Sequence, residues 1–360
     1  MLGVNSAIKK LDLGDCMISA ADMAALAGGL RINTGLTYLS LADSNFDSDC
    51  AVLLAEALHA SATLKSLRLV RNDIEAAGAV TLGKMLRVNH TLESLALSGN
   101  DIDATGAAAL GEALHTNSTL QNLDLMGNDI GFAGATALGA ALRVNCAIKQ
   151  LNLRNNDFGA AGAAALGEAL CTNGTLTTLT LEGNGIGDAG TAALGATLRV
   201  NNALTSLDLY FNGIGAAGAV ALGEALRVNN TLTSLGLSEN QIGDNGIVSL
   251  SNSLHVNSVL TSARLCFARR SSTAAHRWRR CLPVIGNGVG CSDARISTRA
   301  RSCTAACHCQ SSMLACLPLL RVARHVYRVR CGRCAFLGRP ARGFQYNSAC
   351  PLPSRAWRSQ

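Results

Sequence analysis

The sequence predicts an α/β solenoid, nine strand–helix turns of 28 residues each over residues 8 to about 265, followed by a tail of a different kind. Three observations carry this. Leucine or isoleucine stands at 8, 36, 64, 92, 120, 148, 176, 204, 232 and 260, with no insertion or deletion between turns. Beneath these registers runs the frame L-x-x-L-x-L-x-x-N-x-I, as in Leu204, Leu207, Leu209, Asn212 and Ile214. Hydrophobic residues make up 48% of the chain and aromatics only 4%, so the core is built from aliphatic side chains and is thin and regular. A fixed period of this length marks supersecondary units that bury their apolar faces by stacking.

Each part of the turn has a physical reading. In L-x-x-L-x-L the closing alternation has period two, which puts leucines on one face of a short strand and variable residues on the other. One strand per turn makes a parallel sheet. Asparagine fills the ninth position at 72, 100, 128, 156, 184, 212 and 240, with Cys16 and Ser44 in the first two turns. A carboxamide both donates and accepts, so it satisfies backbone groups where the chain leaves the strand, and stacked turns predict an asparagine ladder. The second half of the turn, such as 216 to 228, spaces Ala219, Leu222 and Leu226 as the apolar stripe of a helix. Glycines recur inside that helix, at 78, 106, 134, 162, 190, 218 and 246 and again at 83, 111, 139, 167, 195 and 223. Glycine costs up to about 1 kcal/mol in a helix interior, so its regular return predicts close helix–helix approach. Strands sit about 4.8 Å apart and helices about 8 to 10 Å apart, which bends the stack into a horseshoe with the sheet on its concave side.

The frame resembles the ribonuclease-inhibitor-like class of leucine-rich repeats. Its wording, L-T-x-L-x-L-x-x-N-x-I-G-x-x-G-A-x-A-L-G-E-A-L, is most similar to the repeats of NOD-like receptors. The resemblance covers residues 8 to 265 and implies a leucine-rich-repeat horseshoe that binds macromolecular partners. The nucleotide-binding and signalling domains of those receptors have no counterpart in this chain. Ran GTPase-activating protein uses the same repeat class, so the resemblance also supplies a second reading, a GTPase-activating protein.

Several motifs have a simpler explanation than chemistry. The stretch Gly78 to Lys84 matches most of a phosphate-binding loop, G-x-x-x-x-G-K, but Met85 replaces the Ser or Thr that holds magnesium, and both glycines are repeat positions. The N-x-T sequons at Asn89, Asn117, Asn173 and Asn229 share one register between helix and following strand, and they read as turn residues. His59, His115 and His255 share a helix-end position with Arg87, Arg143, Arg199 and Arg227, where a cation suits the helix dipole. No Ser, His and acid set stands out, and the expectation is no catalytic residue, no cofactor and no metal site.

The candidate site is the concave face. Most of its positions are small, such as Ser94, Ala96, Ser98, Thr178, Thr180, Ser206 and Ser234. Against that background stand Tyr38, Asp43, Arg68, Arg71, Arg154, Glu182, Asp208, Tyr210, Phe211 and Glu239. Exposed aromatics beside charges are the residue types that anchor interfaces.

The net charge of +7 averages two unlike parts. Through residue 265 there are 14 Lys+Arg and 23 Asp+Glu, a balance of −9; residues 266–360 carry 17 Arg and one acid, Asp293, a balance of +16. The tail also holds ten of the 14 cysteines, all five prolines and both tryptophans. The frame fails at its start, with Ala263 where Leu belongs, Ala268 where Asn belongs and Arg270 where Ile belongs. Residues 266–360 therefore read as a disordered Arg/Cys-rich segment or as sequence translated out of frame. Its cysteine spacing, C-x3-C-x-C and then C-x2-C, fits no common zinc pattern. Nonspecific nucleic-acid attraction through the tail is a third reading of function.

The first residues, MLGVNSAIKKLDLGD, hold no apolar run of the signal-peptide kind, and no stretch is long enough to span a bilayer. The expectation is a cytoplasmic, reducing setting and a non-enzymatic scaffold for a protein partner, with no small-molecule substrate and no membrane. The lack of polar end-caps fits a piece of a longer repeat array.

Overall fold

The computed structural model describes Gly3, residues 5–264 and the pair 289–290. Among the described residues ten strands alternate with nine helices in order: β1 (Lys10–Asp12), α1 (Ala20–Ile32), β2 (Tyr38–Ser40), α2 (Ser48–Ala60), β3 (Ser66–Arg68), α3 (Glu75–Leu86), β4 (Ser94–Ala96), α4 (Ala104–Leu114), β5 (Asn122–Asp124), α5 (Gly131–Leu142), β6 (Gln150–Asn152), α6 (Gly159–Leu170), β7 (Thr178–Thr180), α7 (Gly187–Leu198), β8 (Ser206–Asp208), α8 (Ala216–Leu226), β9 (Ser234–Gly236), α9 (Gly243–Leu254) and β10 (Ser262–Arg264). A two-residue β11 (Val289–Gly290) pairs with β10. All pairings are parallel, neighbours in the sheet are neighbours in sequence, and the sheet does not close on itself. The register is locked to the period: Leu95 faces Leu67 on one side and Leu123 on the other, a shift of one turn each. The nine-turn strand–helix solenoid expected from the sequence is what forms. Apart from Val289–Gly290, residues 266–360, and with them the expectations for the tail, lie outside the described residues.

The core runs between sheet and helices along the array. The frame residues Leu204, Leu207, Leu209 and Ile214 are buried, as are Ala219, Leu222 and Leu226 from α8. Val228, at the end of the sequence-predicted helix, falls beyond α8 and is exposed. The tenth strand forms although its frame has failed, because Ala263 occupies the leucine slot and pairs with Leu235.

The asparagine ladder forms at the predicted register. Asn184 Nδ2 donates to the carbonyls of Leu153 (2.9 Å), Leu181 (2.9 Å) and Glu182 (3.1 Å), while its Oδ1 accepts the Asn156 N–H at 2.8 Å. A second ladder runs along the other end of the turn, and it contains the sequons. Asn117 Nδ2 donates to the carbonyls of Leu86 (2.7 Å) and Asn89 (3.0 Å), and its Oδ1 accepts from the N–H groups of Thr119 (3.1 Å) and Leu120 (2.8 Å). Asn33, Asn89, Asn145, Asn173, Asn201 and Asn229 are buried at the same register. The sequon asparagines are thus more than turn residues. Each is a buried brace between successive turns, with its side-chain amide spent on backbone carbonyls.

The stretch that resembled a phosphate-binding loop lies inside α3. Its glycines serve packing: a Cβ on Gly83 would stand 2.8 Å from the Ala109 carbonyl oxygen of α4. The same contact recurs at Gly111, 3.1 Å from the Ala137 carbonyl oxygen. The recurrent helix glycines therefore allow the close approach that their period predicted. Arg87, His115, Arg143, Arg199, Arg227 and His255 all sit at helix C-caps, the position expected for a cation.

Candidate functional site

Along β2 to β9 the central leucine is buried in the core and its neighbours lie on the other face, as the partly exposed Ser206 and Asp208 flank the buried Leu207 on β8. The outward position that ends the strand has a local duty as well. Asp124 Oδ1 accepts the Met126 N–H at 3.1 Å, and Asp208 Oδ1 accepts the Tyr210 N–H at 3.0 Å. These short bonds turn the chain out of the strand and present the two following residues at the rim of the sheet face.

The second of those rim residues has a left-handed backbone in turn after turn. Gly99, Gly127 and Gly183 take it with φ of 66°, 64° and 70°. At the same register stand Asp43 (54°), Arg71 (55°), Asn155 (52°), Phe211 (51°) and Glu239 (57°). Glycine is the residue that fits this conformation without steric cost; a bulky aromatic there is a genuine outlier. Phe211 gains no compensating burial, since it is 64% exposed. Its ring lies against Tyr210 with centroids 6.4 Å apart and planes tilted by 36°.

The ten candidate residues fall into two groups on the sheet. Tyr38, Asp43, Arg68 and Arg71 belong to the turns of β2 and β3, and Arg154, Glu182, Asp208, Tyr210, Phe211 and Glu239 to those of β6 to β9. Within each group charges are partly spent on one another. The Arg71 guanidinium binds both Asp43 carboxylate oxygens, and Arg154 binds Glu182 at 3.0 Å. Burial pushes the Glu182 carboxyl above its ordinary range; Arg154 opposes the rise and Asp208 adds to it.

Asp124, on β5, escaped the sequence reading. Burial pushes its carboxyl up, against hydrogen bonds from the Met126 N–H, Asn152 and Ser98 and the field of Arg68. It sits in a cavity of about 380 Å³ on the sheet face, where Asn122, Gln150, Asn152, Thr178 and Thr180 also line the wall. The sequence signal was present. Asp124 is an acid at the register occupied by Ala96, Asn152 and Thr180 in nearby turns, as Asp208 is.

Seven segments, residues 60–83, 88–111, 116–139, 144–167, 172–195, 200–223 and 228–251, match the Leucine Rich repeat family model. The described array is therefore a leucine-rich-repeat solenoid. Among solved structures it is similar to Leiomodin-1 Actin-Binding Site 2 (ABS2), at 22% identity over 43% of this chain and 88% of that one, with a TM-score of 0.36. It is also similar to the tropomodulin C-terminal domain from Caenorhabditis elegans, at 13% identity over 38% of this chain and 83% of that one, with a TM-score of 0.34. No curated protein matches the chain.

Proposed function

We propose that this leucine-rich-repeat chain is a non-enzymatic cytoplasmic scaffold that grips a protein partner on the exposed face of its parallel sheet. The finer wording of the repeats supports a ribonuclease-inhibitor-like array closest in style to NOD-like receptors. The observation that carries the proposal is Phe211, an exposed aromatic held in the left-handed backbone conformation that Gly99, Gly127 and Gly183 take at the same register. Strain without burial is a cost to the fold, and such costs concentrate where side chains serve a ligand. Tyr210 beside it and the charged pairs nearby supply the aromatic-plus-ionic chemistry of an interface anchor.

The test is affinity capture by the full chain and by a Tyr210→Ala/Phe211→Ala variant, followed by titration of the captured protein. The double variant is expected to fold normally and to bind more weakly by at least about 1 kcal/mol. Equal affinity for both chains would remove the sheet face as the binding surface.

A further inference from the structure

We propose that the sheet face from β5 to β9 receives an extended basic segment of the partner, with one Lys or Arg side chain over Asp124 and a second against Asp208, Tyr210 and Phe211. The inference rests on the partner-binding reading above and names the chemistry of the segment bound.

Charge complementarity points to a basic occupant. This part of the face carries the carboxylates of Asp124, Glu182, Asp208 and Glu239, and Arg154 is already bound to Glu182. Among the described residues neither Asp124 nor Asp208 has a cation within salt-bridge distance, and Arg68 acts on Asp124 only through its field. The cavity at Asp124 is walled by neutral amides and hydroxyls, which offer acceptors to a guanidinium or ammonium and no competing charge. Desolvation makes the bare carboxylate costly there, and an incoming cation would offset that cost. At the other end, Asp208 Oδ1 accepts the N–H of Tyr210, whose ring is paired with that of Phe211, so a carboxylate and two aromatic side chains that can engage a cation follow one another along the chain.

The spacing of the two subsites sets the spacing of the two cations. Asp124 and Asp208 share a register on β5 and β8, three strands apart. At about 4.8 Å per strand that is about 14 Å. An extended chain advances about 3.3 Å per residue, so the cations stand about four residues apart.

Fluorescence polarisation of labelled peptides against the full chain tests this. The peptides are a Gly/Ser decapeptide with two arginines four residues apart, the same peptide with both arginines replaced by citrulline, and one with the arginines adjacent. The four-spaced peptide is expected to bind at least about tenfold more tightly than the citrulline and adjacent forms. Asp124→Asn is expected to weaken it by at least about tenfold without lowering the unfolding midpoint. Equal binding of the citrulline peptide, unchanged binding by Asp124→Asn, or no binding up to about 1 mM overturns the proposal. If the captured protein still depends on Tyr210 and Phe211 in that event, the scaffold reading stands and only the basic segment falls. Binding of a single-stranded oligonucleotide that survives Asp124→Asn and masks the peptide would overturn it in favour of a nucleic-acid ligand.

Discussion

Phe211 holds a φ of 51° with its ring in solvent, so the folded chain carries strain there that glycine would relieve. Phe211→Gly is expected to raise stability, or leave it unchanged, by 0 to about 1 kcal/mol in denaturant unfolding, while weakening partner binding. A clear loss of stability would mean that the ring packs against the fold. The carboxyls on the sheet face make a prediction about pH. Burial raises Asp124 and Glu182, so their contribution to stability is fully present below the unfolded carboxyl range and is lost as pH rises through their folded values. Asp124→Asn keeps the acceptor for the Met126 N–H, and its unfolding midpoint is therefore expected to match or exceed the parent at pH about 7 and to converge with it near pH about 4. A midpoint below the parent at neutral pH would contradict this. Cys50 is buried, with its thiol pushed up to about 11 mainly by burial and also by Asp47, whereas Cys16, Cys146 and Cys171 are exposed. Peptide mapping after brief alkylation of the native protein should find Cys50 the least modified of these four. The ten outlying residues could be picked out of the sequence because the repeat supplies its own background. The left-handed backbone beneath Arg71, Phe211 and Glu239 is not announced by those residue types; its signal lay in Gly99, Gly127 and Gly183 at the same register.

The individual turn is held by its two ladders and by its glycines. The Asn184 side chain makes four hydrogen bonds to backbone, and replacing it strands the buried Asn156 N–H of the preceding turn and removes one of two donors from each of the carbonyls of Leu153, Leu181 and Glu182. Asn184→Ala is expected to cost about 2 to 4 kcal/mol in urea unfolding, and a loss under about 0.5 kcal/mol would show the ladder to be incidental. Asn117→Ala, in the second ladder, should be comparably damaging, although the sequence shows it only as a sequon. That ladder escaped sequence reading because four of its asparagines, Asn89, Asn117, Asn173 and Asn229, stand in N-x-T sequons, so the local pattern reads as a turn. Its reach to the carbonyl of Leu86, 31 residues back, becomes visible only when turns are stacked. The first ladder was legible because its asparagine sits at a fixed distance from a strand. Helix starts were less so. Gly215 has no side chain to cap α8, and Asp188 of the preceding turn does it instead, accepting from the N–H groups of Gly215 (2.7 Å) and Gly218 (2.8 Å). A cap from another turn has no local sequence signature.

Taken together, the turns form a quasi-one-dimensional array in which each helix packs against its sequence neighbours and each strand pairs with the next. That architecture was legible because every turn has the same length, so one register assignment fixes all of them. Cavities on the sheet face were not, since the depression at Asp124 is formed by residues of four adjacent strands at once. In such arrays stability is the sum of turns and their interfaces, and a turn can be removed whole without changing the rest. Excision therefore tests the central claim most directly. A chain lacking residues 92–119 loses one full turn, with β4 and α4, and keeps the register on both sides. Its circular dichroism should retain the mixed helix and strand signal per residue, with cooperative unfolding at a lower midpoint, whereas a chain lacking residues 92–112 should lose both. If the two excisions behaved alike, the array would not be built from interchangeable 28-residue turns, and the scaffold derived from it would fail with it.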